Sequence, residues 1–174
     1  MSAFTIDMSN PFPTGFTKQH GGPRSGGHHG PNWYIEFGMD LGAHPGTEVR
    51  AAFDAHITRF TPHVPAHDTD KVFGAQLFMR SPNDMMGGFY THITDVPGGI
   101  RIGSTIRRGD LLGKVIRHDA PHLHLALVEI IGGAQSHGQY VGVNLFRHFL
   151  STANTGRIMR VTFHQDGTAP TVGP

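Results

Sequence analysis

The run His122-Leu123-His124-Leu125-Ala126-Leu127-Val128-Glu129, opened by Pro121, alternates in a way that only an extended strand can use. Side chains two apart on a strand share a face at roughly 6.6 Å spacing, so the two imidazoles look the same way while Leu123, Leu125 and Leu127 face the opposite side. That leucine face predicts a core strand able to hold both rings rigidly. Two imidazoles on one anchored face suit a metal site. The chain holds 14 His in 174 residues, so a pair can also arise by chance, and its neighbours must decide.

The other apolar segments are short and β-like: Trp33 to Phe37, Val49 to Phe53, His56 to Phe60, Ala75 to Arg80, Gly88 to Ile93 and Asp110 to Ile116. Turn residues such as Pro45-Gly46, Pro97-Gly98-Gly99 and Arg108-Gly109-Asp110 separate them. This punctuation predicts a mainly β domain, an antiparallel sandwich or barrel-like sheet. One helix is expected from an N-cap at Asn144 through Leu145, Phe146, Phe149 and Leu150 to a stop near Gly156, followed by a strand from Arg157 to Phe163. Residues 1–30, with Pro11, Pro13, Pro23 and the Gly/His patch from Gly26 to Gly30, read as irregular chain packed on a domain spanning 31–164, and 165–174 as a mobile tail.

Composition narrows the chemistry. The formal charge is only +1, and no Lys/Arg cluster is interleaved with aromatics, which argues against nucleic acid. There is no Cys, so thiolate nucleophiles, disulfides and zinc ribbons are excluded, and His, Asp and Glu remain as metal ligands. A chain of this length buries a core without metal or disulfide staples, so a metal here is expected to be functional. Residues from Met1 to about Gly30 lack the apolar run of a signal peptide, and no stretch approaches the length of a membrane span.

Four further segments stand in order around the histidine pair. Glu36-Phe37-Gly38-Met39-Asp40-Leu41 precedes Pro45-Gly46-Thr47-Glu48-Val49-Arg50-Ala51-Ala52, then Tyr90-Thr91-His92-Ile93, then Ile106-Arg107-Arg108-Gly109-Asp110-Leu111-Leu112-Gly113. Together they resemble the LytM/lysostaphin-like peptidases of the M23 family, zinc endopeptidases of peptidoglycan peptides, whose motifs are H-x-G-x-D, G-T-x-V-x-A, Y-x-H and H-x-H. The resemblance runs from about Gly22-Pro23-Arg24 to Asn144. It implies an antiparallel β fold of the lysostaphin-like, duplicated hybrid motif type, with one short C-terminal helix. It also implies one Zn2+ per chain, other divalent ions being alternatives, held by Asp40 and His124. His92 and His122 would assist the attacking water and the oxyanion.

The chain departs from the family at the first ligand, where Glu36 stands in place of His. Residues four apart on an ideal strand are separated by roughly 13 Å, so Glu36 and Asp40 can share an ion only if the chain bends, which Gly38 and Gly42 permit. Zinc accepts a carboxylate oxygen, and Glu36 is the expected third ligand. His28, His29 and His44 are the alternatives to it, and Arg24 is a candidate partner for a carboxylate near the site. Tyr90 reads as a groove-lining or core residue on the face of His92. His20, His56, His63, His67, His118, His137, His148 and His164 have no motif support.

The implied function is a metal-dependent endopeptidase hydrolysing amide bonds in peptidoglycan peptides or crosslinks. The alternative is a catalytically degenerate relative acting as a binding or regulatory module. The expected setting is the periplasm or cell wall, reached without a leader and with a delivery or secretion partner; oligomeric state is left open.

Overall fold

A computed structural model of the chain describes residues 2–14, 16–17, 20–69, 71–132 and 140–173. Among the described residues twelve strands and two short α-helices follow one another, with one 3-10 turn at Pro65–His67: β1 (Phe4–Ser9), α1 (Trp33–Glu36), β2 (Gly38–Gly42), β3 (Glu48–Arg50), β4 (Ala55–Thr61), β5 (Ala75–Arg80), β6 (Met86–Thr94), β7 (Thr105–Ile106), β8 (Leu111–Val115), β9 (His122–Ile130), β10 (Tyr140–Gly142), α2 (Phe146–Ser151), β11 (Ile158–Phe163) and β12 (Thr171–Gly173). The fold is mainly β, and every strand pairing among the described residues is antiparallel. The expected strand over 75–80 coincides with β5, and the run from His122 to Glu129 lies within β9.

The long strand β9 organises the large sheet. On one side it pairs with β6, which continues through β5 and β4 to β7; on the other, β2 and β10 lie end to end along the same edge. The far end of β6 pairs with β8, and β8 with β3. Leu123, Leu125 and Leu127 are fully buried, as their alternation predicts. Each such side chain contributes roughly 1.5–3 kcal/mol by leaving water, which fixes β9 against Met39, Leu41, Phe53 and Tyr90 in one continuous core. Tyr90 is a core residue: its hydroxyl accepts the Ala52 N–H at 3.0 Å, and burial raises its pKa above the ordinary tyrosine value.

Three expectations are corrected. Trp33 to Phe37 does not form a strand; Trp33–Glu36 is one helical turn entered through Asn32, whose carbonyl accepts the Glu36 N–H at 3.0 Å. Within the segment read as irregular, Phe4–Ser9 is a strand on β11. The segment read as a mobile tail carries β12, on the other edge of β11. These three strands make a small second sheet that buries Met8, Val161 and Phe163. The helix expected after Asn144 starts at Phe146, whose N–H is accepted by Asn144 Oδ1 at 3.0 Å. His137 lies outside the described residues. No helix among the described residues is long and apolar enough to cross a membrane.

Candidate metal centre

The register of β2 on β9 sets Asp40 directly opposite His124, and that of β6 on β9 sets Thr91 opposite the same residue. Cross-strand neighbours lie about 4.5–5.5 Å apart, close enough for their side chains to meet. Asp40 Oδ1 is 3.2 Å from His124 Nδ1, 3.1 Å from His28 Nε2 and 3.5 Å from His122 Nε2. One carboxylate oxygen thus gathers three imidazole nitrogens.

Each of these rings fastens its other nitrogen to a main-chain carbonyl. His28 Nδ1 donates to Gly22 O at 3.0 Å, His124 Nε2 to Tyr34 O at 2.6 Å, and His122 Nδ1 to Ala120 O. A carbonyl oxygen only accepts, so these outer nitrogens carry the protons. The inner nitrogens of the neutral rings are then lone pairs aimed at a carboxylate that also has only lone pairs to offer. A cation between them resolves the clash, either a proton or a metal ion. Metal-bound histidines characteristically anchor the remote N–H in this way. His28 Nε2, a carboxylate oxygen of Asp40 and His124 Nδ1 lie within 4.8 Å of one another, a His2Asp donor set suited to zinc.

The electrostatics agree with a cation site. Burial alone would raise the Asp40 carboxyl, but with a proton on the facing nitrogens of His124 and His28 their hydrogen bonds hold it well below the ordinary carboxylate range. The His28 ring is pushed up by its bond to Asp40 against the opposing effect of burial. Burial lowers His122.

The expected ligand Glu36 is not in this group. It ends the single turn of α1, and its Oε1 accepts from Arg24 Nε at 2.9 Å, the pairing considered for Arg24 from the sequence. Arg24 also donates its backbone N–H to Glu36 O at 2.8 Å and lays its guanidinium 5.2 Å from the centroid of Phe37. This clamp holds the segment following Gly21 against the sheet, and that segment brings in His28, which is buried. The helix contributes as well: Tyr34 O, a carbonyl without a partner inside so short a turn, is the acceptor for His124. His29 and His44 are exposed and stand apart from the group.

Gly38 serves space rather than bending. A Cβ at this position would lie 2.1 Å from His124 Cε1, so the ring packs on bare backbone.

His92 reaches the site by an irregularity in β6. Ala75 faces Ile93 while Gln76 faces Thr91, leaving His92 as an extra residue with φ +67. The bulge turns it away from the face it would share with Tyr90. Its ring centroid lies 4.8 Å from that of His122 and 6.0 Å from that of His124. His92 Nδ1 donates to Phe73 O at 3.1 Å, leaving Nε2 unprotonated, and burial together with the neighbouring rings pushes its pKa down to about 3. Two rings without motif support stand close by: His20 is 5.2 Å and His118 6.0 Å from His122, centroid to centroid.

No protein-family model and no curated protein matches the sequence. Solved structures do match the fold. Lysostaphin from Staphylococcus simulans, described as an antimicrobial peptidase, aligns with TM-score 0.55 and 20% identity over 87% of this chain and 56% of its own length. Its catalytic domain gives 0.50 and 19%, over 78% of this chain and 89% of the domain. The M23 metalloprotease pseudoalterin, from the deep sea, gives 0.52 and 19%, over 78% and 74%. The chain therefore has the lysostaphin-like fold of M23 peptidases, and it spans about half the length of full lysostaphin.

Proposed function

We propose that this protein is a metal-dependent endopeptidase of peptidoglycan peptides, with one divalent ion, zinc first, held by His28, Asp40 and His124. The observation that carries this reading is the set of imidazoles tied outward to carbonyls while three of their free nitrogens converge on Asp40 Oδ1. His28 takes the ligand place that the motif position would give to Glu36, and Glu36 supports it through Arg24. The likeness to lysostaphin supports an amide bond as the target and a wall peptide as its carrier.

A divalent ion bound here supplies Lewis acidity toward the scissile carbonyl and toward water. His92, kept neutral by burial, accepts a hydrogen bond at Nε2 and so orients the attacking water. His122 Nε2 lies 3.5 Å from the Asp40 carboxylate, which opposes the lowering by burial; once protonated there, the ring donates to the oxyanion that develops on the substrate. Asp40 stays ionised throughout. The setting that suits this activity is outside the cytoplasm.

The test is metal analysis with peptidoglycan digestion for wild type, His28→Ala, His124→Ala and Glu36→Gln. The expected result is metal binding and digestion by wild type, loss of both in the two histidine variants, and retained metal in Glu36→Gln. Metal lost from Glu36→Gln but kept in His28→Ala would restore Glu36 as the ligand. Wild type that binds no zinc in excess would leave the binding-module reading.

A further inference from the structure

A cavity of about 270 Å3 adjoins the metal centre, lined by His92 and His124 on one side and by Arg59, Lys71, Gln76 and Phe78 among the others. No acidic side chain lines it among the described residues. Arg59 and Lys71 form no salt bridge among the described residues either. Both are exposed, so neither pays a burial cost to carry charge.

Arg59 is held in place by an aromatic face. Its guanidinium carbon lies 5.3 Å from the centroid of Phe78, directly across from it in the β4–β5 ladder. Cation–π contact fixes the plane of the guanidinium and leaves its N–H edge free, the edge that grips a carboxylate with two parallel bonds. Phe78 is itself wedged between Trp33, Tyr34 and Phe89, so the platform is rigid. Phe89 packs on His124, centroid to centroid 5.8 Å, which joins the cationic end to the metal ligand through packed rings.

We infer that this cavity is a subsite for a substrate carboxylate, so that the preferred substrate is a peptide bearing a free carboxylate two or three residues from the bond that is cut. The inference rests on the endopeptidase reading above. Arg59 faces Phe78, Phe78 faces Phe89, and Phe89 faces Ala126 on β9. Three strand spacings of about 4.8 Å make roughly 14 Å of backbone separation. The arginine side chain spans part of that, and the remainder matches two or three extended residues at about 3.3 Å each. A cleft with low-dielectric walls and one sign of charge also concentrates anionic ligands.

The experiment uses the zinc-loaded full chain and glycine-rich peptides in which one glutamate is moved along the sequence a residue at a time, each with a glutamine twin. At one or two positions the glutamate peptide should be cut with kcat/KM about 10-fold above its twin, equivalent to about 1.4 kcal/mol. In Arg59→Gln/Lys71→Gln this preference should fall below about 3-fold while cleavage of the glutamine twin stays unchanged. Equal cleavage of all twins by wild type, or an undiminished preference in the double variant, overturns the subsite. If no peptide is cut, the endopeptidase reading fails first, and binding decides the subsite: a shift of the Arg59 Nε–Hε resonance with glutamate but not glutamine peptide sustains it, and no shift overturns it.

Discussion

His92 donates twice to Phe73: its backbone N–H and its ring Nδ1 both lie 3.1 Å from the Phe73 carbonyl oxygen. That carbonyl is held by the hairpin loop joining β4 to β5. Asp68 Oδ1 accepts the Gly74 N–H at 3.0 Å, Asp68 Oδ2 pairs with His63 Nε2 at 2.9 Å, and His63 Nδ1 meets Thr94 Oγ1 at 3.0 Å. Asp68→Ala is therefore expected to release the loop and let His92 turn, lowering kcat about 10-fold, or about 1.4 kcal/mol, with metal content unchanged. Nitrogen NMR of the His92 ring checks it: the Nδ1-protonated form should become mixed in the variant, while His28 keeps its tautomer.

The same loop should respond to acid. Burial by itself raises the Asp68 carboxyl, but the Gly74 N–H and the His63 ring outweigh it and hold its pKa below the ordinary carboxylate value. A depressed folded pKa gives stability that is present above the unfolded value of about 3.9 and is lost as pH falls through the folded one. Exchange of the Gly74 amide should accordingly quicken below about pH 4 relative to its intrinsic rate. In Asp68→Asn that extra acid response should be absent.

Gly38→Ala should damage the centre without touching a ligand. The new methyl would sit 2.1 Å from His124 Cε1 and 2.9 Å from its Nδ1, so the ring must move off Asp40. Displacement of this kind is expected to weaken metal binding about 10–100-fold, comparable to the loss of an outer partner of a metal ligand. Chelator competition measures the affinity. A melting curve should show a cost of about 1–3 kcal/mol from overpacking.

Removal of metal should loosen the segment that carries His28. That segment lies on the sheet through few bonds, among them Asp40 N–H to Gly21 O at 2.8 Å and the Arg24–Glu36 clamp, so an ion shared by His28, Asp40 and His124 would fasten it. Stabilisation of this origin is about 2.7 kcal/mol when free metal exceeds its dissociation constant 100-fold. Limited proteolysis should cut within 21–30 faster after chelation. Emission from Trp33, the single tryptophan, should change with metal in wild type and not in His28→Ala.

Periodicity made β9 legible, since a run with leucine at every second place has one way to bury itself. The meeting of Asp40 with His124 was implied by the family resemblance, through the order of the motifs, and not by periodicity. Periodicity could not give α1, because Trp33, Tyr34 and Ile35 favour strands and a four-residue helix has no room for a 3.6-residue repeat. The role of His28 was hidden for a related reason: glycines surround it, and its place depends on Arg24 meeting Glu36 rather than on any local pattern. The terminal strands β1 and β12 depend on pairing with β11, and for β1 that partner lies about 150 positions away.

The acceptors that steer the imidazoles are peptide groups, those of Gly22, Tyr34, Phe73 and Ala120. A peptide oxygen stays when its side chain is exchanged, so the aim of the rings is insulated from ordinary point substitutions at those four places. It is sensitive instead to chain length. One residue inserted or deleted between 22 and 28, or between 120 and 122, would slide an oxygen out of reach, and drift of this site should show as tolerance of exchange beside intolerance of gaps.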